Sequence, residues 1–130
     1  MKEITMHTTW KEETVVTENL LAKTVGSGDV AVYATPMMVA LMEKAAAACL
    51  KPFLEEGETS VGILMNTTHA AATPCGMKVW AEAEIVEAEG RKVTFRVVAR
   101  DEKEVIGEAH HQRFILAKEK FEQKAQNKLL

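Results

Sequence analysis

The chain has 130 residues, enough for one hydrophobic core but not for two. Hydrophobic residues make up 47% and charged residues 27%, which excludes a disordered chain and fits an ordinary globular one. Sixteen basic against nineteen acidic residues leave a net charge of −3, and no basic run interleaved with aromatics occurs, so nucleic acid is not an expected partner.

Taken in order, the N-terminal stretch MKEITMHTTW lacks the apolar region of a signal peptide. Residues 11–16 favour an extended strand through Thr14, Val15 and Val16. Residues 19–22 are too short to assign, and residues 25–29 form a flexible connector marked by Gly26 and Gly28. Residues 30–33 read as a short strand or extended run leading into the next element.

That element dominates the first half. Thr35 followed by Pro36 reads as a helix start, with a hydroxyl at the N-cap and a residue whose missing N–H costs nothing at N1. From there to Leu50 only Glu43 and Lys44 are charged, so the helix is apolar almost all round and should be wrapped on most sides. It is too short, and too interrupted by charge, to cross a bilayer. Pro52 closes it by disfavouring helical geometry at Lys51. Glu43 is its anomaly. Val39, Ala40, Ala46, Ala47 and Leu50 surround it at helical spacing, so its carboxylate must be paired, hydrogen-bonded or shifted in pKa.

After an acidic turn at residues 55–58 the chain is strand-like almost to the end. Residues 59–70 carry β-formers as far as His69, and Thr73, Pro74, Cys75 and Gly76 make a turn. In residues 78–86, Val79, Ala81, Ala83 and Ile85 share one face. Glu89 and Gly90 turn the chain; Val93, Phe95, Val97 and Ala99 then alternate with Thr94, Arg96, Val98 and Arg100, and after a tight turn at 101–103 residues 105–116 give a last long strand. Short loops imply an antiparallel meander. Residues 118–130 mix charge with Phe121 and Leu129, as in a frayed helix. An apolar helix followed by antiparallel strands makes an α+β domain with the sheet curled around the helix, its core at about residues 10–118 and a tail at 119–130.

Thr35, Glu43 and His69 supply a hydroxyl, a carboxylate and an imidazole, the parts of general-base or nucleophilic acyl transfer. Each has a plainer role open to it: Thr35 as a cap, His69 as partner to a buried neighbour, Glu43 as a structural acid. His110 and His111 are adjacent on a strand and point to opposite faces, so they cannot share a metal within one chain. Cys49 and Cys75 give no disulfide framework and suit a reducing compartment, so the expected location is the cytoplasm.

The run Ala34-Thr35-Pro36 with Met38, then Ala40-Leu41-Met42-Glu43, Gly62 after Ser60-Val61, and Thr68-His69 before the 73–76 turn resembles the hot-dog thioesterases of the fluoroacetyl-CoA thioesterase type. The similarity continues through Gly107 and His110 to Arg113, covering about residues 10–118. It implies a hot-dog fold and hydrolysis of acyl-CoA thioesters, usually by a homodimer, without metal or organic cofactor. It further implies Thr35, Glu43 and His69 as the catalytic set, with Gly62 and Arg113 at the substrate. Taken alone, Gly62 would read as a bulge and Arg113 as a solvated edge charge. One departure is visible. Fluoroacetyl-specific members carry bulky apolar lid residues ahead of their threonine, whereas residues 25–29 hold two glycines and no aromatic, so the acyl specificity is not carried over.

Strand geometry adds a constraint. Gly62 and His69 are seven residues apart, roughly 23 Å at the extended rise, and cannot serve one carbonyl within a straight strand. A two-fold dimer pairing this strand with its copy about Met65 and Asn66 would bring Gly62 of one chain near His69 of the other. The competing reading is a non-catalytic hot-dog dimer that binds acyl-CoA or another small ligand. A hot-dog dehydratase, which places its histidine and acid differently, ranks below both.

Overall fold

The computed structural model describes residues 1–130. Five strands, β1 (Thr9–Val15), β2 (Glu58–Thr67), β3 (Lys78–Glu89), β4 (Lys92–Asp101) and β5 (Val105–Ala117), form one antiparallel sheet in the order β1-β3-β4-β5-β2. The long helix α2 (Thr35–Leu50) runs between β1 and β2 in the chain and packs on one face of that sheet. A short helix α1 (Ala22–Val25) precedes it and α3 (Lys118–Gln126) follows β5. Strands β3 to β5 are the expected meander, and β1 and β2 cross over to the two outer edges because a helix separates them. None of the helices is long and apolar enough to cross a membrane.

The alternation in β3 and β4 is realised on the inner face, with Thr94 of the outer face also buried. Val79, Ala81, Ala83, Ile85, Val93, Phe95 and Val97 are completely buried, facing Met38, Met42, Ala45, Ala46 and Leu50 of α2. Small alanines on the sheet let the helix settle closely, and each large α2 side chain buried there contributes about 1.5–3 kcal/mol.

Four expectations need correction. The N-cap of α2 is Ala34, not Thr35; Thr35 takes N1 and Pro36 N2, and no side-chain hydrogen bond caps the helix. The helix is also not enclosed all round: Thr35, Pro36, Ala40 and Lys44 are exposed, and Val39, Glu43 and Ala47 only half-buried. Pro36, Val39, Ala40, Glu43 and Ala47 share one helix face, so an apolar stripe with Glu43 within it stands uncovered in the single chain. Residues 30–33 make only isolated bridges, Leu21 with Tyr33 and Val32 with Pro74, because the segment is threaded between two loops rather than laid along a strand. Finally, β2 ends at Thr67, leaving His69 beyond the strand.

The register of β2 shifts between Gly62 and Leu64, so Ile63 is an extra residue, half-exposed on the open edge. Further along the β2 side of β5, Gly107 accepts a close backbone approach. A Cβ there would lie 2.5 Å from the Thr68 carbonyl oxygen and 2.9 Å from Met38 Sδ. The missing side chain thereby sets the position of the residue just before His69.

Candidate active site

Thr35 and His69 come together. Freed from capping, the Thr35 hydroxyl lies 2.6 Å from His69 Nδ1. The hydroxyl can donate to that nitrogen when the ring proton sits on Nε2, the tautomer that general-base work requires. Nε2 is buried and has no hydrogen-bond partner. Burial holds the imidazole below its ordinary pKa, with the Ala71 backbone working against the shift, so the ring favours its neutral form. Tyr33 meets the imidazole edge-on with ring centres 6.4 Å apart, and its hydroxyl donates to the Met37 carbonyl. An open cavity of about 270 Å³ lies beside the pair, walled by Ser27, Gly28, Val30, Val32, Ala70 and Ala72.

Glu43 stands at a second centre. Its Oε2 is 3.4 Å from Arg113 Nη1, and a Cβ on Gly62 would come within 2.6 Å of the same oxygen. Glycine at 62 is therefore what allows the carboxylate to lie against the β2 backbone. The Glu43 side chain is 43% exposed while that of Arg113 is 9% exposed, and Glu43 Oε1 has no protein partner. Arg113 faces the helix from β5 and is held on three sides: Nε donates to Ser60 Oγ at 2.9 Å, Nη2 to the Ser60 carbonyl at 3.1 Å, and Nη1 approaches His111 Nε2 at 3.2 Å. Its remaining reach is to Glu43. Burial lowers the guanidinium pKa and the Glu43 charge opposes that.

Sequence reasoning missed Ser60 and His111. The signal for His111 was present, since it shares the inward stripe of β5 with Ala109, Arg113 and Ile115 and interrupts an apolar pattern. Ser60 gave no signal. His110 points to the other face and is exposed. No group of three or more His, Cys, Asp or Glu side chains converges anywhere.

The two centres do not merge within one chain. Thr35 and Glu43 are eight residues apart on α2, about 12 Å at the helical rise, and no hydrogen bond joins Glu43 to Thr35 or His69. One centre holds a hydroxyl and a base, the other a fixed carboxylate beside a bare strand backbone. Together they are the complement for acyl transfer.

The family model of the fluoroacetyl-CoA-specific thioesterases matches residues 16–119. A fluoroacetyl-CoA thioesterase of Streptantibioticus cattleyicolor is 43% identical over 97 residues, 75% of this chain and 70% of that protein. A crystal structure of the fluoroacetyl-CoA thioesterase FlK superposes with a TM-score of 0.91 at 33% identity, covering 98% of both chains. A thioesterase superfamily member from Thermus thermophilus gives 0.90 at 36% identity over 98% of this chain and 94% of that one. Fold and sequence agree: the chain has the hot-dog fold and belongs to the family of fluoroacetyl-CoA-specific thioesterases.

Proposed function

We propose that this protein hydrolyses acyl-CoA thioesters at a site assembled from two copies of the chain. The observation that carries the chemistry is the 2.6 Å contact between the Thr35 hydroxyl and His69 Nδ1. His69 takes the proton of the attacking hydroxyl, whether of Thr35 or of a water held there, and returns it to the leaving thiolate. Backbone N–H groups of β2 beside Gly62 take up the oxyanion charge, since a residue without a side chain lets the carbonyl approach. Arg113 binds Oε2 of Glu43 and leaves Oε1 to polarise the nucleophile. FlK structures solved with acetyl-CoA, and with fluoroacetate and CoA, support an acyl-CoA substrate. Residues 25–29 bring only Ser27 and Gly28 to the cavity wall, so the fluoroacetyl specificity of the relatives is not carried over.

Free thiol release from short, branched and aromatic acyl-CoAs tests this reading. Turnover of at least one class is the expected result. Binding of acyl-CoA without thiol release from any of them would make the protein a binding module instead.

The assembly follows from the open edge of β2 and the uncovered stripe of α2. Pairing β2 with its copy about residues 65 and 66 sets Gly62 and Glu43 of one protomer beside Thr35 and His69 of the other, giving two sites per homodimer. Sedimentation should find the dimer at micromolar concentration; a monomer alone would overturn this arrangement. Two free cysteines, one of them the exposed Cys75, support a reducing compartment such as the cytoplasm as its location.

A further inference from the structure

His111 is fully enclosed, 1% exposed, and packed 6.0 Å from the ring of Phe95, yet the chemistry above makes no use of it. Its two ring nitrogens have partners that fix its state. Nδ1 lies 2.7 Å from the Leu64 carbonyl oxygen, which can only accept, so Nδ1 carries the proton. Nε2 faces Arg113 Nη1 at 3.2 Å, which can only donate, so Nε2 is the acceptor. The ring is therefore neutral, with its proton on one defined nitrogen. Burial lowers its pKa first and foremost and Arg113 adds to this, while the Leu64 carbonyl and Glu43 pull upward and His110 slightly adds to the lowering.

The same Nη1 that meets His111 is the one that reaches Glu43 Oε2 at 3.4 Å. An Nη nitrogen has two hydrogens. One is taken by His111, which fixes the direction of the other towards the carboxylate. Ser60 alone, holding Nε and Nη2, secures the far edge of the guanidinium but leaves Nη1 without a buried acceptor. On the β2 side, the Leu64 carbonyl that holds His111 belongs to the residue just after the extra Ile63. The imidazole thus links the irregular part of the edge strand to the hydrogen bond at Glu43.

We propose that His111 is a positioning residue for Glu43, acting through Arg113 so that Oε2 is occupied and Oε1 is presented to the nucleophile. This rests on the reading of Glu43 as part of the thioesterase site. A structural histidine at the same place would contribute only packing and a bond to Leu64.

Two polar substitutions separate these roles. Asn at 111 can keep a donor at the Nδ1 position for the Leu64 carbonyl but does not reach Arg113. Gln extends to the Nε2 position and can still accept from Nη1. His111→Asn should lower kcat for thiol release roughly tenfold or more with KM little changed, on the scale of a misplaced catalytic group. His111→Gln should stay within about threefold of the parent, because the acceptor for Arg113 is retained. Made in a Glu43→Gln background, His111→Asn should bring no further loss in kcat, since the group it positions is already altered. Wild-type kcat in His111→Asn, an equal loss in the Asn and Gln variants, or a loss of the same size in both backgrounds would each overturn the proposal. Glu43→Gln with undiminished turnover would instead remove the role of Glu43, and that of His111 with it.

Discussion

Replacing Glu43 by Gln should lower turnover by roughly two orders of magnitude or more while leaving the fold in place. The amide keeps the shape of the side chain, and its oxygen can still accept from Arg113 Nη1 where Oε2 does now. What it loses is charge and the capacity to take a proton. Because the Glu43 side chain is 43% exposed in the chain, the lost ion pair should cost no more than about 1 kcal/mol. A thermal melt and a thiol-release rate on the same preparation decide the matter. A variant that melts much earlier yet turns over at the wild-type rate would make Glu43 a structural acid. The neighbouring glycine bears on the same point, since a Cβ at position 62 would stand only 2.6 Å from Oε2.

Replacing His69 by Ala should be at least as damaging, with a loss of about 10²–10⁴ in kcat/KM, the range for removing a positioned base. Thr35 would then keep its hydroxyl but have nothing to give its proton to. In the wild type, the acid limb of kcat/KM reports the base in the free enzyme. Burial lowers the His69 pKa, so that limb should have its midpoint below the ordinary histidine value of about 6.5. Activity then remains full through neutrality and falls only as the pH drops through the lowered value. A midpoint above 6.5, or a flat profile with chemistry limiting, would argue against His69 as the base. Stability should move in the same direction. His69 and His111 both resist protonation in the folded chain, whereas the unfolded chain takes up protons near 6.5. Their contribution is complete above that pH and is lost as the pH falls from it towards the folded values.

Much of this was legible in the sequence for definite reasons. Alternating apolar residues in β3 and β4 gave both the strands and their buried face, because a period of two has one interpretation when one side meets a helix. The Thr-Pro pair marked the start of α2 to within one residue, but assigned the wrong task to the hydroxyl. Ala34 fills the cap position, and a cap needs only extended backbone there, not a side-chain bond. The apolar circumference of α2 implies burial; in the structure part of it is an uncovered stripe, which composition cannot tell from a core face. The cradle of Ser60, His111 and Arg113 has no such signal. Those contacts join β2 to β5 across 47 to 53 residues of sequence, and no local pattern carries them.

The extra residue in β2 has a consequence for inheritance of the site. Before it, Ser60 and Gly62 lie on the helix side, opposite Ile115 and Arg113; after it, Met65 and Thr67 do, opposite His111 and Ala109. Even-numbered positions face inward up to the bulge and odd-numbered ones beyond it. In an uninterrupted strand Gly62 and His69, an odd number of residues apart, would point to opposite sides of the sheet. Ile63 works like a frameshift that restores the reading: it changes the parity of the strand, and the bonds of Thr68 N–H to the Glu108 carbonyl and Ala70 N–H to the Ile106 carbonyl carry that parity past its end, so that the glycine beside Glu43 and the histidine beside Thr35 both look towards α2. Losing or gaining one residue between them would leave every side chain of the site in the sequence and put half of them on the wrong face. Point substitutions should tune the proposed site one group at a time, whereas a single-codon deletion in β2 should dismantle it at once.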